Sequence, residues 1–140
     1  MAATLRLEIV TPDHRAYSDD VEMVVIPGVE GEMGILPMHV PLMTMITPGE
    51  LVVTKGGQTF HLAIGEGFVE VTQERVNVLT DMAIDERQID EAAAEAAVKR
   101  AEESLASKEH GGEEAAAVQA ALAKSLAQLH VKRRRRGGGA

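Results

Sequence analysis

Five histidines, one of them set with a Glu in a glycine- and proline-rich stretch, and a late run of five cations are the residues of this chain with chemistry to offer. His14, His39, His61, His110 and His130 never stand at the i and i+4 spacing that lets one helix face hold a metal. The chain has no cysteine, which removes disulfides, thiolate ligands and thiol nucleophiles together. No metal site is therefore expected. There is no Gly-x-Ser-x-Gly elbow and no Walker-type phosphate loop. The carboxylates belong to strand faces and helix starts, so no catalytic pair and no catalytic residue is assigned.

Glu32 and His39 lie in residues 27–42, Pro-Gly-Val-Glu-Gly-Glu-Met-Gly-Ile-Leu-Pro-Met-His-Val-Pro-Leu. Three glycines and three prolines in this span exclude a helix and punctuate rather than extend a strand. A shaped surface loop is expected, with Gly28, Gly31 and Gly34 supplying backbone freedom. Met33, Ile35, Leu36 and Met38 make it more apolar than solvation requires, so part of it is expected to meet another protein. The plain alternative for His39 is a polar surface residue.

The cations are Lys132, Arg133, Arg134, Arg135 and Arg136, followed by Gly137, Gly138 and Gly139. Net charge is −8, yet residues 115–140 hold six basic and no acidic side chains, against 4 basic and 12 acidic in residues 1–84. Adjacent cations repel, and they make sense within a Debye length, about 8 Å, of an acidic surface. A solvated, frayed end is the rival reading. Nucleic acid is disfavoured by the acidic remainder and by an aromatic content of 2%.

The elements that must position these groups change character at Asp85. Before it, short apolar or alternating runs recur every eight to twelve residues between turn signals. Strands are expected over 5–9, 21–26, 42–47, 51–54, 59–62, 68–72 and 76–79, with a Gly56-Gly57 hairpin turn. After it, alanine dominates. Asp85-Glu86-Arg87-Gln88 has the form of a capping box, so a helix is expected from Glu86 to about Lys108, broken by His110-Gly111-Gly112. A second helix is expected from Glu113 to about Arg135. The fold class is thus an N-terminal antiparallel β-sandwich, residues 1–84, followed by a C-terminal α-helical hairpin, residues 85–140.

The expected apolar stripes are Ile89, Ala93, Ala97, Ala101 and Leu105 on the first helix, and Val118, Leu122, Leu126 and Leu129 on the second. A stripe made mostly of alanine buries little, at about 0.8 kcal/mol per methylene-sized group. Weak docking is expected, within the range a partner can overturn; a permanently folded hairpin is the alternative. No run reaches the eighteen or so apolar residues of a membrane span, and the first residues show no secretory stretch, so a non-exported protein is expected.

Gly31-Glu-Met-Gly-Ile-Leu-Pro-Met-His-Val-Pro-Leu42, with Thr47-Pro48-Gly49 and Gly65-Glu66-Gly67-Phe68-Val69-Glu70-Val71, resembles the signature segments of the epsilon subunits of bacterial F-type ATP synthases. The resemblance runs along nearly the whole chain. It implies a non-catalytic rotor subunit that couples proton translocation to ATP synthesis, with the gamma subunit and the c-subunit ring as partners. The expected contact residues are Glu32, Met33, Ile35, Leu36, Met38 and His39, although the apolar ones could instead belong to the core beneath. It further implies helices that extend to the catalytic beta subunits and restrain ATP hydrolysis through Lys132 to Arg136. Association with the cytoplasmic face of the bacterial inner membrane would come only through the complex.

Some members bind ATP through an Ile/Leu-Asp-x-x-Arg-Ala motif. Here Ile89, Asp90 and Ala94 fit it, with Arg100 further on, but Ala93 replaces the arginine, and Lys124 and Gln128 stand where arginines are expected. No firm cofactor is assigned, and ATP binding is expected to be weak. A nucleotide-sensing module and a small adaptor unrelated to ATP synthase are the alternative functions.

Overall fold

The structure is a computed structural model that describes residues 3–107 and 111–137, with side chains through 134. One ten-stranded sheet is followed by a 3-10 turn and two α-helices. The strands are β1 Leu5–Val10, β2 Arg15–Val21, β3 Met23–Gly28, β4 Gly31–Ile35, β5 Leu42–Ile46, β6 Gly49–Lys55, β7 Gln58–Ile64, β8 Gly67–Val71, β9 Arg75–Thr80 and β10 Ala83–Asp85. Their order is β10-β7-β6-β3-β5-β8-β9-β1-β2, with β4 paired to β3.

β3 joins the two halves of the sheet: Met23, Val24 and Val25 pair with β6, and Gly28 pairs with Ile46 of β5. The halves fold over one core, to which every strand from β1 to β9 contributes. Leu7, Ile9, Val24, Ile26, Ile35, Leu51, Ile64, Val69 and Val78 are all fully buried in it. Alternation produces this side selection, because successive strand residues point to opposite faces; β1 reads buried at Leu5, Leu7 and Ile9, with Arg6 and Glu8 half-exposed between them.

The β-sandwich followed by two helices is the expected class, with four local differences. All pairings are antiparallel except β1 with β9, which run parallel. The strand expected over 21–26 is two strands that change over at Glu22. β2 has the polar sequence Arg-Ala-Tyr-Ser-Asp-Asp-Val and is an outer strand of the sheet, where charged side chains suit an edge and an apolar pattern is not needed. The loop expected over 27–42 is half strand: β4 pairs with β3 from Val24↔Ile35 to Gly28↔Gly31. Of its glycines only Gly31 takes a left-handed backbone, with φ 126°.

The fourth difference is the helix start. Asp85 accepts a hydrogen bond from the Arg87 amide at 2.9 Å and caps only the 3-10 turn Glu86–Gln88. Hydrogen bonding from the Arg87 side chain holds the Asp85 carboxyl below its ordinary range. The helix itself, α1 (Glu91–Ala106), begins after Asp90, whose side chain accepts from the Ala93 amide at 3.0 Å. Its successor α2 spans Gly112–Gly137. α1 ends at Ala106 with Ser107 as its C-cap, while Lys108 and His110 of the expected helix end and break lie outside the described residues, as do Gly138 and Gly139.

One glycine is fixed by crowding. A Cβ on Gly67 would fall 1.9 Å from the Leu79 carbonyl oxygen on the neighbouring strand, whereas one on Gly111 meets nothing within 4 Å. Gly67→Ala is expected to lower unfolding stability by about 1–3 kcal/mol in urea titrations, and Gly111→Ala to change it by less than about 0.5 kcal/mol.

Candidate functional site

Three surfaces carry the groups that matter, and the sheet's division into halves determines where each lies. The first is the outer side of β5, β8, β9 and β1. Register places Met45 opposite Phe68, Phe68 opposite Leu79, and Leu79 beside Val10, forming one cross-strand row. Met43 flanks it in the next row. Met43 is 67% exposed, Phe68 52% and Leu79 53%. These side chains border a shallow hollow of about 490 Å³ with Glu70 and Asn77 at its polar side. Sequence reasoning missed this face. Its signal was present, since the outward positions of β5 are both methionine where a solvated strand would alternate to polar residues.

The second surface is the segment after β4. Met38 donates its amide to the Gln73 carbonyl at 2.9 Å, which ties this segment to the β8–β9 turn, and its φ of 68° is left-handed although it is not glycine. Leu36, Met38 and Val40 are exposed there. His39 is half-buried, with Nδ1 2.7 Å from the Val40 carbonyl oxygen. The six expected contact residues do not form one surface. Ile35 is fully buried in the core, Met33 is packed against that core, and Glu32 lies at the other end of β4 from Leu36, about 13 Å away along a strand. Glu32 instead lines a hollow of about 470 Å³ with Pro48, Glu50, His130 and Arg134.

The third surface is where α2 crosses β6, β7 and the 3-10 turn. Val131 is fully buried there with Ala63 and Ile89, and Met82 and Ile84 pack around them. Polar contacts surround this small apolar contact. Lys124 pairs with Asp81 at 3.7 Å, Gln128 donates to the Met82 sulfur at 3.2 Å, Lys132 pairs with Glu86 at 3.6 Å, and Arg134 pairs with Glu50 at 2.7 Å. Arg133 clasps α1 through Glu91 and Glu95. The Arg135 and Arg136 side chains lie outside the described residues.

The helical stripes also shift. α1 buries Ala94 and Ala101 while Ala93 is exposed, because the helix starts later than expected and Ile89 precedes it. On α2 Leu126 is 47% exposed, and the buried set is Ser125, Ala127, Leu129 and Val131. Helical geometry explains this: α2 serves two neighbours, α1 and the sheet, so its buried residues occupy two flanks rather than one stripe.

Known proteins match this arrangement. The family model for the beta-sandwich domain of the ATP synthase delta/epsilon chain matches residues 4–86, and the model for its long alpha-helix domain matches residues 87–133. The chain belongs to the ATP synthase delta/epsilon family. The ATP synthase epsilon chain of Dehalococcoides mccartyi strain BAV1 is 45% identical over 134 residues, covering 96% of each chain. That of Desulforamulus reducens is 48% identical over 108 residues, 77% of this chain and 82% of its own. In fold, a chain in the Euglena gracilis mitochondrial ATP synthase OSCP/F1/c-ring structure aligns with TM-score 0.74 at 24% identity, covering 90% of this chain and 79% of that one. A chain of the Tetrahymena thermophila central stalk/c-ring structure aligns at TM-score 0.56 and 11% identity, covering 95% and 96%. Through this family the chain is a non-catalytic, epsilon-type stalk subunit whose partners lie within the ATP synthase complex. The adaptor unrelated to ATP synthase is thereby set aside.

In this epsilon-type chain the residues of the expected ATP motif have structural roles. Ile89 is buried under Val131, Asp90 caps α1, and Arg100 is exposed about 15 Å further along the helix. Among the described residues no cluster of three or more His, Asp or Glu is arranged to hold a metal. No helix of the described residues is long and apolar enough to cross a membrane.

Val131 is the fully buried apolar residue of the docked α2 and contributes to how firmly the helices dock. Val131→Ala removes two methyl groups from it, about 1.5 kcal/mol. Trypsin is expected to cut within α2 about tenfold faster in this variant, while the sandwich unfolds at an unchanged urea midpoint.

Proposed function

We propose that this chain couples rotation of the c-subunit ring through the gamma subunit to ATP synthesis, and restrains ATP hydrolysis with its helices. The observation that carries the reading is the asymmetry of the sandwich. Helices cover the β6–β7 side, and the side built from Val10, Met43, Met45, Phe68 and Leu79 is apolar and bare. A contiguous apolar strand face of this kind is an interface awaiting a partner. We assign it to gamma. Leu36, Met38, His39 and Val40, at an end of the sandwich, are assigned to the c-ring. The chain would thus sit peripherally on the cytoplasmic face of a bacterial inner membrane, held there by its partners. Residues 1–84 act as the anchor and residues 85–140 as the regulatory part, whose basic tip reaches acidic segments of the catalytic beta subunits when extended.

The test is ATP hydrolysis by a catalytic head that contains gamma and lacks this subunit, titrated with the full chain, with a version ending at Gln88, and with Phe68→Glu. The full chain is expected to bind and suppress hydrolysis, the shortened chain to bind without suppressing, and Phe68→Glu to lose at least about tenfold in affinity at unchanged stability. Equal suppression by the full and shortened chains would discard the brake. Unchanged binding by Phe68→Glu would move gamma to another surface.

ATP is proposed as a weak ligand only. Ile89 and Asp90 are occupied structurally, Ala93 offers no charge, and Lys124 and Gln128 contact the sandwich. Restoring one charged donor is worth about 1.5–3 kcal/mol, so Ala93→Arg is expected to tighten ATP binding about tenfold to a hundredfold in calorimetric titration.

A further inference from the structure

We propose that the basic tip of α2 is an ionic latch keyed by Glu50, which holds the helices on the sandwich and occupies the very cations that the extended tail would present to a partner. Each described cation of the tip is engaged by the chain's own acids: Lys132 by Glu86 of the 3-10 turn, Arg133 by Glu91 and Glu95 of α1, and Arg134 by Glu50 of β6. Most of these pairs are exposed and individually weak. Glu50 differs. Its side chain is 7% exposed, and its two oxygens are divided between Arg134 and His61 Nδ1, at 2.7 and 3.1 Å.

His61 Nε2 is buried without a hydrogen-bond partner among the described residues. The tautomer protonated at Nδ1 donates to Glu50 and leaves Nε2 a bare acceptor, which is a smaller penalty than a buried, unpaired N–H. Arg134 is then the guanidinium that compensates a desolvated carboxylate. It reaches Glu50 across 84 residues of sequence, and only when α2 is docked. Losing Arg134 costs more than losing an exposed pair, because the Glu50 carboxylate remains in a poorly solvated place, whereas Arg134, 61% exposed, stays solvated without Glu50. Docking therefore joins a small apolar contact at Val131 to a salt-sensitive ring around it. A tip engaged here is unavailable elsewhere, so latch and brake exclude each other.

This inference rests on the tail reading above, but its test uses the free full-length chain and so fails or succeeds independently of hydrolysis. The absence of native cysteine allows two cysteines, introduced at exposed Gln73 and Gln119, to carry spin labels that report docked and open populations by distance. Arg134→Ala is expected to lower the docked-to-open ratio about tenfold, Glu50→Gln by a smaller factor, and the double variant no further than Arg134→Ala. Raising salt from about 0.01 to about 1 M, which shortens the screening length from about 30 to about 3 Å, should open the unsubstituted chain. The same change should open Arg134→Ala by a smaller factor. Additive effects of the two substitutions would overturn the latch. So would a docked population indifferent to salt, which would leave the Val131 contact as the whole of the docking force.

Discussion

Closure of one sheet over a core of Val, Ile and Leu side chains is the constraint on which the rest of the molecule depends. With an aromatic content of 2%, the fully buried core holds no aromatic side chain and is filled by many aliphatic ones from nine strands, with Tyr17 and Phe60 packed at its margin. β3 makes this possible by pairing with strands of both halves. Once the inner sides of the halves face each other, only the outer sides remain for function, and they differ in chemistry. The β6–β7 side receives α2 and its cations. The β5–β8–β9–β1 side keeps methionine, phenylalanine and leucine in the open, and a partner is the physical means of removing them from water.

The helices are attached by a contact of a different kind from the core. Val131, Ala63 and Ile89 form a small buried group with Met82 and Ile84 packed around it, and beyond them the attachment is electrostatic and partly exposed. Apolar burial of this size leaves little margin, and exposed ion pairs add little each. That balance is what the proposed two-state tail requires. The strongly basic end and the acidic body, which look like an odd charge distribution in the linear chain, become complementary surfaces of one molecule once α2 is docked.

The segment after β3 shows how glycine and proline shape a surface rather than merely interrupt structure. Gly31 takes the left-handed turn that lets β4 return along β3, and Pro27 sits in β3 itself, where its carbonyl accepts from the Thr47 amide at 2.9 Å. Beyond Ile35 the chain leaves the sheet, and Met38 adopts a left-handed conformation that its Cβ disfavours, at a point fixed by a hydrogen bond to Gln73. Strain of this sort persists where surrounding contacts hold it, and in this segment Leu36, Met38 and Val40 are all exposed.

Much of this was legible in the chain alone. Two-residue periodicity up to Leu79, Gly56-Gly57 and the alanine-rich remainder determined a sandwich followed by a helical pair, because side-chain alternation and helix propensity are local properties. The Gly31 to Leu42 motif determined the family. Tertiary structure decided what locality cannot express. β2 is a strand because β1 offers it an edge, not because its polar sequence favours extension. The capping-box pattern points to Asp85, and only the route from β10 to α1 shows that Asp90 starts the helix. Ile35 and Leu36 are adjacent apolar residues in the same motif, yet one is core and the other surface, since a strand's end determines which way each points. The pairing of Glu50 with Arg134, 84 residues apart, exists only through the docking of α2, and no spacing rule along the chain encodes it.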